Sequence, residues 1–245
     1  MSVQIHDVGP HIQVVTLDRP SVRNAWNDDV VRGLQEAWLR FAGDDALRVC
    51  VVTGNGAMFT SGLDLKAPPE DGALGMPNLS VPCNKPILVA VEGAAIGYGA
   101  SMCQLADMVF AGESAYFVYP EARLGLFQGM MGGFPGRLQY KAGLQWLMTG
   151  DAISATRARE IGLINEVCPD GTALRRTLEV AEQIARNAPL VVQAMKAIAL
   201  GCVPKGPMEI NYQANRMIAR VMASEDGQEG IAAARGKRQA HFKGR

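Results

Sequence analysis

Apolar positions along this chain recur at two spacings, and the change from one to the other predicts its elements. Val3–Ile5 and Ile12–Leu17 run or alternate apolar around Gly9-Pro10, which predicts two short strands joined by a turn. Asn27-Asp28 can cap a helix that runs to about Phe41, with Val30, Val31, Leu34, Ala37 and Trp38 on one side. Arg48–Thr53 and Ile87–Val91 are short apolar, β-branched runs and read as buried strands; Gly54-Asn-Gly56 ends the first. Phe59–Leu65 reads as a turn entering a short helix. Residues 67–78, with prolines, glycines and acids, read as a mobile surface loop. Met108–Ala111 and Ala115–Val118 are further short strands. Leu124–Gly136 holds five glycines and a proline and has no assigned element. From about Leu144 the spacing turns helical, interrupted by a strand-like Leu163–Cys168. Leu174–Asn187, Leu190–Leu200, Gly206–Ala223 and Asp226–Arg238 complete a helical tail. Strands alternating with helices, then helices alone, predict an α/β core over residues 1–190 and a C-terminal helical region over 191–245.

Composition narrows the class. Apolar residues make up 48% of 245, enough for a sizeable core, and 24 basic residues balance 24 acidic ones. No basic run suggests a nucleic-acid partner. The longest mostly apolar stretch, Ile87–Met102, is interrupted by Glu92 and glycines, so no membrane span is expected. The N-terminus carries no basic segment followed by an apolar one, and the five cysteines, an odd number without metal-motif spacing, suit reduced thiols; a cytoplasmic location is expected. The three histidines, His6, His11 and His241, lie near the termini, which argues against a histidine-based triad or metal site.

Candidate chemistry centres on Gly93-Ala-Ala-Ile-Gly-Tyr-Gly-Ala-Ser101. Three glycines in seven positions follow the Ile87–Val91 strand, and the chain then turns helical. Strand, glycine turn and helix start form a place where main-chain N–H groups can face a ligand and stabilise negative charge, as an oxyanion hole does. Pro120-Glu121, twenty residues past Ser101, adds a carboxyl group for proton transfer.

Several segments together resemble the crotonase superfamily, the enoyl-CoA hydratase/isomerase group. They are Asp18-Arg-Pro20 with Arg23-Asn-Ala25, Phe59–Leu65, Lys85–Gly99, Thr149–Ala155 with Gly162–Val167, and Glu229–Ala233 with Lys237-Arg238 and Phe242-Lys243. Their order along nearly the whole chain carries the resemblance. It implies a spiral of ββα units with a C-terminal α-helical trimerisation region, assembled as a homotrimer or a dimer of trimers. It implies an acyl-CoA thioester as substrate and neither a metal nor a redox cofactor. The thioester enolate would be held by the backbone N–H groups of Leu63 and Tyr98, with Glu121 as acid and base. Arg23, Thr60, Asp64, Leu65, Phe242 and Lys243 match positions that meet coenzyme A, the last two from a neighbouring subunit. Met130, Met131 and Phe134 would wall the acyl pocket.

Three departures from the family pattern stand out. Hydratases of the family pair two glutamates, and the position of the first matches Ser101 here. A lone Glu121 suits an isomerase that shifts a 3-enoyl double bond. The Ser101–Glu121 pair also resembles hydroxycinnamoyl-CoA hydratase-lyases, and thioester hydrolysis, decarboxylation or catalytically degenerate acyl-CoA binding are the remaining alternatives. Leu126–Gly136 is about two residues longer than the family's turn, and Tyr98 stands where glycine is frequent. The residues also admit plainer roles: Ser101 as a small helix-start residue, Asp64 as a loop cap, Met208, Met217 and Met222 as packing.

Overall fold

A computed structural model describes residues 2–126 and 137–245. Its larger sheet begins with the antiparallel pair β1 (Val3–Val8) and β2 (Ile12–Leu17), turned at Gly9 with φ +63°. β3 (Val49–Gly54), β4 (Ile87–Val91), β6 (Met108–Gly112) and β9 (Glu166–Cys168) then add in parallel, in the order β1-β2-β3-β4-β6-β9. A smaller sheet holds β5 (Ala94–Ile96), β7 (Tyr116–Val118) and β8 (Ile153–Ser154), with β7 in the middle.

Successive side chains point to opposite faces, and both faces are covered, which explains why β3 and β4 are apolar at nearly every position. Ile12, Val14, Val49, Val51 and Leu88 point to one face, under helix α6 (Ala173–Ala185). Val15, Leu17, Cys50, Val52, Ile87 and Val89 point to the other, into the main core shared with α1 (Asp28–Gly43). α6 turns Ala173, Thr177, Ala181 and Ala185 inward, small residues that let a helix lie close on a sheet. The Asn27 side chain accepts from Val30 N at 3.2 Å and caps α1, as the sequence predicts. Lys85, buried ahead of β4, closes the other end of α1 by donating to Phe41 O at 2.9 Å and Asp44 O at 2.8 Å, where the helix presents its negative pole.

The remaining helices are α2 (Tyr98–Leu105), α3 (Glu121–Leu124), α4 (Tyr140–Thr149), α5 (Ala155–Glu160), α7 (Pro189–Cys202), α8 (Pro207–Ala223) and α9 (Glu225–Arg235). The boundary expected after residue 190 falls in the first turn of α7. Among the described residues no helix is long and apolar enough to cross a membrane. All five cysteines are free thiols.

Some expectations need correction. Phe59–Leu65 does not enter a helix; Thr60 bridges to Ala95 and Leu63 to Trp26, because backbone pairing on both sides holds the segment extended. Helix α4 starts at Tyr140, earlier than expected, and β5 intervenes between the glycine turn and α2. The loop expected to be a mobile surface element over 67–78 is enclosed over its second half. Gly72–Gly75 forms a 3-10 turn, Met76 is fully buried, and Gly75 O accepts from Trp38 Nε1 at 3.0 Å. Its glycines read as solvent-facing flexibility, whereas they let the main chain press on side chains. A Cβ on Gly75 would lie 2.9 Å from the Trp26 ring.

Candidate active site

Two backbone segments from distant parts of the chain are zipped together at the site. Thr60 N donates to Ala94 O at 3.0 Å, and Ile96 N donates to Thr60 O at 3.1 Å. On the outer side, Trp26 N donates to Gly62 O at 2.8 Å and Asp64 N donates to Trp26 O at 2.9 Å. In this parallel pattern Leu63's own N–H points away from Trp26. Gly62, at φ +82°, makes the approach possible: a Cβ there would sit 2.6 Å from Ile96 O and 3.5 Å from Tyr98 N. Leu63 follows Gly62 directly, and Tyr98 is the first residue of α2, at its electropositive end. The two N–H groups named by the sequence thus belong to segments in backbone contact.

Glu121 reaches the same place through the smaller sheet. Ile96 of β5 lies opposite Val118 of β7, and Gly97 N donates to Val118 O at 2.9 Å. Three residues on, the chain delivers Glu121 beside Gly97, whose Cβ, if present, would be 3.5 Å from Glu121 Oε1. Gly97 stands at φ +51°, so glycine serves both the turn and this clearance. A cleft of about 140 Å³ results, lined by Leu63, Leu65, Gly97, Tyr98, Pro120 and Glu121, among others. Glu121 Oε2 is buried and has no hydrogen-bond partner. Burial pushes this carboxyl up to about 7 from an ordinary 4.5, the backbone N–H of Glu121 pulling weakly the other way. A carboxyl so placed exchanges protons near neutral pH, which suits acid–base work.

The other candidates sort by position. Leu65 is exposed at the mouth of the cleft. Arg23 is exposed, and its carbonyl accepts from Ser61 N at 2.9 Å, which keeps it next to the Leu63 segment. Thr60 is wholly enclosed; its hydroxyl donates to Asn24 O at 2.6 Å and accepts from Gly62 N at 3.0 Å. Asp64 pairs with Arg19 at 3.1 Å and accepts from Lys66 N and Ala67 N, so it caps the loop; the Arg19 hydrogen bond holds its carboxyl below the usual range. Ser101 is fully buried on α2 and is not among the cleft-lining residues. Phe242 and Lys243 do not line the cleft either. They lie against α9, Phe242 beside Gly230 and Lys243 Nζ 3.3 Å from Glu225. Met130, Met131 and Phe134 lie outside the described residues.

Sequence reasoning quoted Asn24 within a motif but gave it no role. It is buried at φ +53°, and its Nδ2 donates to Asn55 O, Met58 O and Phe59 O at 2.9–3.1 Å while Oδ1 accepts from Arg19 N at 2.8 Å. It ties the N-terminal turn to the Leu63 segment. Asparagine tolerates left-handed backbone, and an Arg-Asn pair after Pro20 was the available signal.

Comparison with known proteins identifies the family of the chain. A family model described as enoyl-CoA hydratase/isomerase matches residues 8–245. The enoyl-CoA hydratase EchA19 of Mycobacterium tuberculosis is 38% identical, the alignment covering 96% of this chain and 94% of that protein. The 2,3-dehydroadipyl-CoA hydratase of Escherichia coli is 34% identical, with 96% of each chain covered. A crystal structure of a carnitinyl-CoA dehydratase from Mycobacterium avium superposes with a TM-score of 0.77 at 35% identity, over 100% of this chain and 99% of that one. The fold is that of the crotonases, and the chain belongs to the enoyl-CoA hydratase/isomerase family of acyl-CoA enzymes.

Proposed function

We propose that this enzyme forms a thioester enolate from an acyl-CoA, holds its oxygen on the backbone N–H groups of Leu63 and Tyr98, and moves the proton with Glu121 alone. The observation that carries this reading is the Glu121 carboxyl, raised to about 7 by burial and with its Oε2 buried and unpartnered, in one cleft with both donor residues. In a 3-enoyl thioester, the Glu121 carboxylate takes a proton from C2. The electron pair moves onto the carbonyl oxygen, and preorganised N–H groups stabilise the charge that develops there. Return of the proton at C4 moves the double bond to C2–C3. One carboxyl completes this cycle, and it needs no metal or redox cofactor. Hydration, the reaction named for the relatives, adds the demand that a water be oriented for attack at C3. Ser101, enclosed within α2, is not among the groups lining the cleft to do so.

Leu65 and Arg23, at the mouth and beside it, suit contact with the coenzyme A portion, and Phe242 and Lys243 would reach it from a neighbouring subunit. The resemblance suggests a homotrimer or dimer of trimers, and the exposed apolar residues of α7 and α8, Ile198 and Met217 among them, support association. The experiment is paired turnover on 3-enoyl- and 2-enoyl-CoA thioesters, by ultraviolet absorbance and product mass. Conjugation of the 3-enoyl substrate without gain of water is the expected result. Gain of water on the 2-enoyl substrate alone would reassign the enzyme as a hydratase, and turnover of neither would sink the Glu121 reading.

A further inference from the structure

Tyr98 is unusual in facing two ways. It lines the Glu121 cleft, yet it is only 4% exposed. Its ring runs inward and packs on Trp26, with centroids 5.3 Å apart and planes at 58°. Its hydroxyl end lies against the main chain of Gly72: a Cβ built there would fall 2.3 Å from the hydroxyl oxygen and 2.4 Å from Cζ. Only glycine fits beneath this phenol. Asp71, the preceding residue, accepts a hydrogen bond from Tyr212 of α8 and caps the Gly72 turn by accepting from Ala73 N at 3.0 Å. The floor under the ring is therefore held from two sides, by the α8 helix and by Trp26, itself paired to the Leu63 segment.

From this packing we infer that the Tyr98 side chain is a plug that sets the length of acyl chain the cleft accepts, and that this enzyme is selective for short acyl groups. The inference rests on the cleft being the acyl site. The cleft measures about 140 Å³, and the phenol ring of Tyr98, one of its lining residues, runs from it to the main chain of Gly72. A chain that outgrew the cleft would have to displace a ring wedged between Trp26 and the Gly72 main chain. Close-packed interiors resist such displacement. The backbone N–H of the same residue faces the thioester in the proposed chemistry, so one residue would serve catalysis through its main chain and selectivity through its side chain.

The test uses binding, so that it does not depend on turnover. Affinities of the parent enzyme, Tyr98→Ala and Tyr98→Phe are measured by calorimetry for saturated acyl-CoA thioesters from acetyl to dodecanoyl. The parent is expected to bind more tightly with each methylene up to a short limit and then to stop gaining. Tyr98→Ala should continue past that limit, by up to about fourfold per added methylene. Tyr98→Phe, which keeps the ring, should retain the parent's limit. Equal limits in the parent and Tyr98→Ala would overturn the inference. So would a Tyr98→Phe limit relaxed like that of Tyr98→Ala, or a parent with no affinity for acyl-CoA.

A stability cycle covers the case in which Tyr98→Ala folds poorly. Gly72→Ala should lower Tm in the parent, where the methyl meets the phenol, and much less in the Tyr98→Ala background. Additive effects would contradict the packing argument. If the binding series behaves as expected while no enoyl-CoA is turned over, the plug stands and the Glu121 chemistry is what fails.

Discussion

In the proposed mechanism Glu121 carries the chemistry in one side chain. Glu121→Gln is expected to lower kcat by about 10²–10⁴-fold, the usual range for a lost general acid–base group, while acyl-CoA affinity survives. Stopped assays with a parallel binding titration check both halves. With its carboxyl raised to about 7 by burial, isomerase activity of the parent should climb as pH rises through about 7, since the ionised form takes the first proton. A pH-rate profile flat from pH 5 to 9 would contradict this. Stability carries the same signature with opposite sense. The folded carboxyl holds its proton more firmly than the unfolded one, so the parent loses stability as pH rises from about 4.5 to about 7, where only the unfolded chain is ionised. Glu121→Gln lacks that loss. Its Tm relative to the parent should therefore increase between acidic and neutral pH. Pro120-Glu121 was legible in the sequence as a candidate because the residue type matched the chemistry. Its burial was not legible, since it follows from the pairing of β5 with β7.

Elements, in turn, hold the proposed backbone donors in place, through residues with no proposed chemistry of their own. Asn24 spans three carbonyls of the 55–59 turn from a buried position. Asn24→Ala leaves several buried polar groups unpaired at about 1–3 kcal/mol each, so a loss of about 3 kcal/mol in denaturant unfolding is expected. Gly62→Ala strikes Ile96 O at 2.6 Å and strains φ +82°. It should cut kcat/KM more than 10-fold with a smaller change in far-ultraviolet circular dichroism, because it separates the two donor segments before it disturbs the sheets. At this scale the sequence performed unevenly. Strands β2, β3 and β4 and helix α1 were legible because apolar spacing alone specifies them. The short β5 and β8 were not: β5 lies within the glycine turn and β8 has two residues directly before α5, whereas β7 and β9, equally short, fall within longer apolar runs. The 67–78 loop misled for the opposite reason. Its Gly and Pro content resembles a solvated loop, yet Trp26, Trp38 and Tyr98 pack on it.

At the scale of the whole molecule, helices α7 and α8 carry apolar side chains left exposed. Met195 and Ile198 of α7 and Ile210, Met217, Ile218 and Val221 of α8 are each more than half exposed. An apolar set of this extent in a chain with balanced charge is what an association surface presents. For the proposed homotrimer or dimer of trimers, light scattering should give a mass of three or six times 26.2 kDa. Ile198→Asp with Met217→Asp should shift it toward the monomer and, because Phe242 and Lys243 are proposed to act across subunits, raise KM for acyl-CoA at low protein concentration. A monomeric parent would exclude that arrangement. Of the three tail methionines expected to pack, Met208 lies against the main core, whereas Met217 and Met222 are exposed in the single chain.

By itself the sequence determined the class of fold, the order of its main strands and helices, and the segments from which the site is assembled. These depend on local spacing, on glycine where the backbone must turn, and on a carboxyl at the right distance along the chain. Tertiary structure alone decided the environment of each residue. Thr60 and Ser101 are sealed inside, Asp64 is committed to Arg19, and Glu121 is half-buried with Oε2 enclosed. It also decided that Tyr98, a departure when read along the chain, fills a slot that Gly72 leaves open. Burial, pKa and clearance are sums over neighbours brought from elsewhere in the chain. No local pattern contains them.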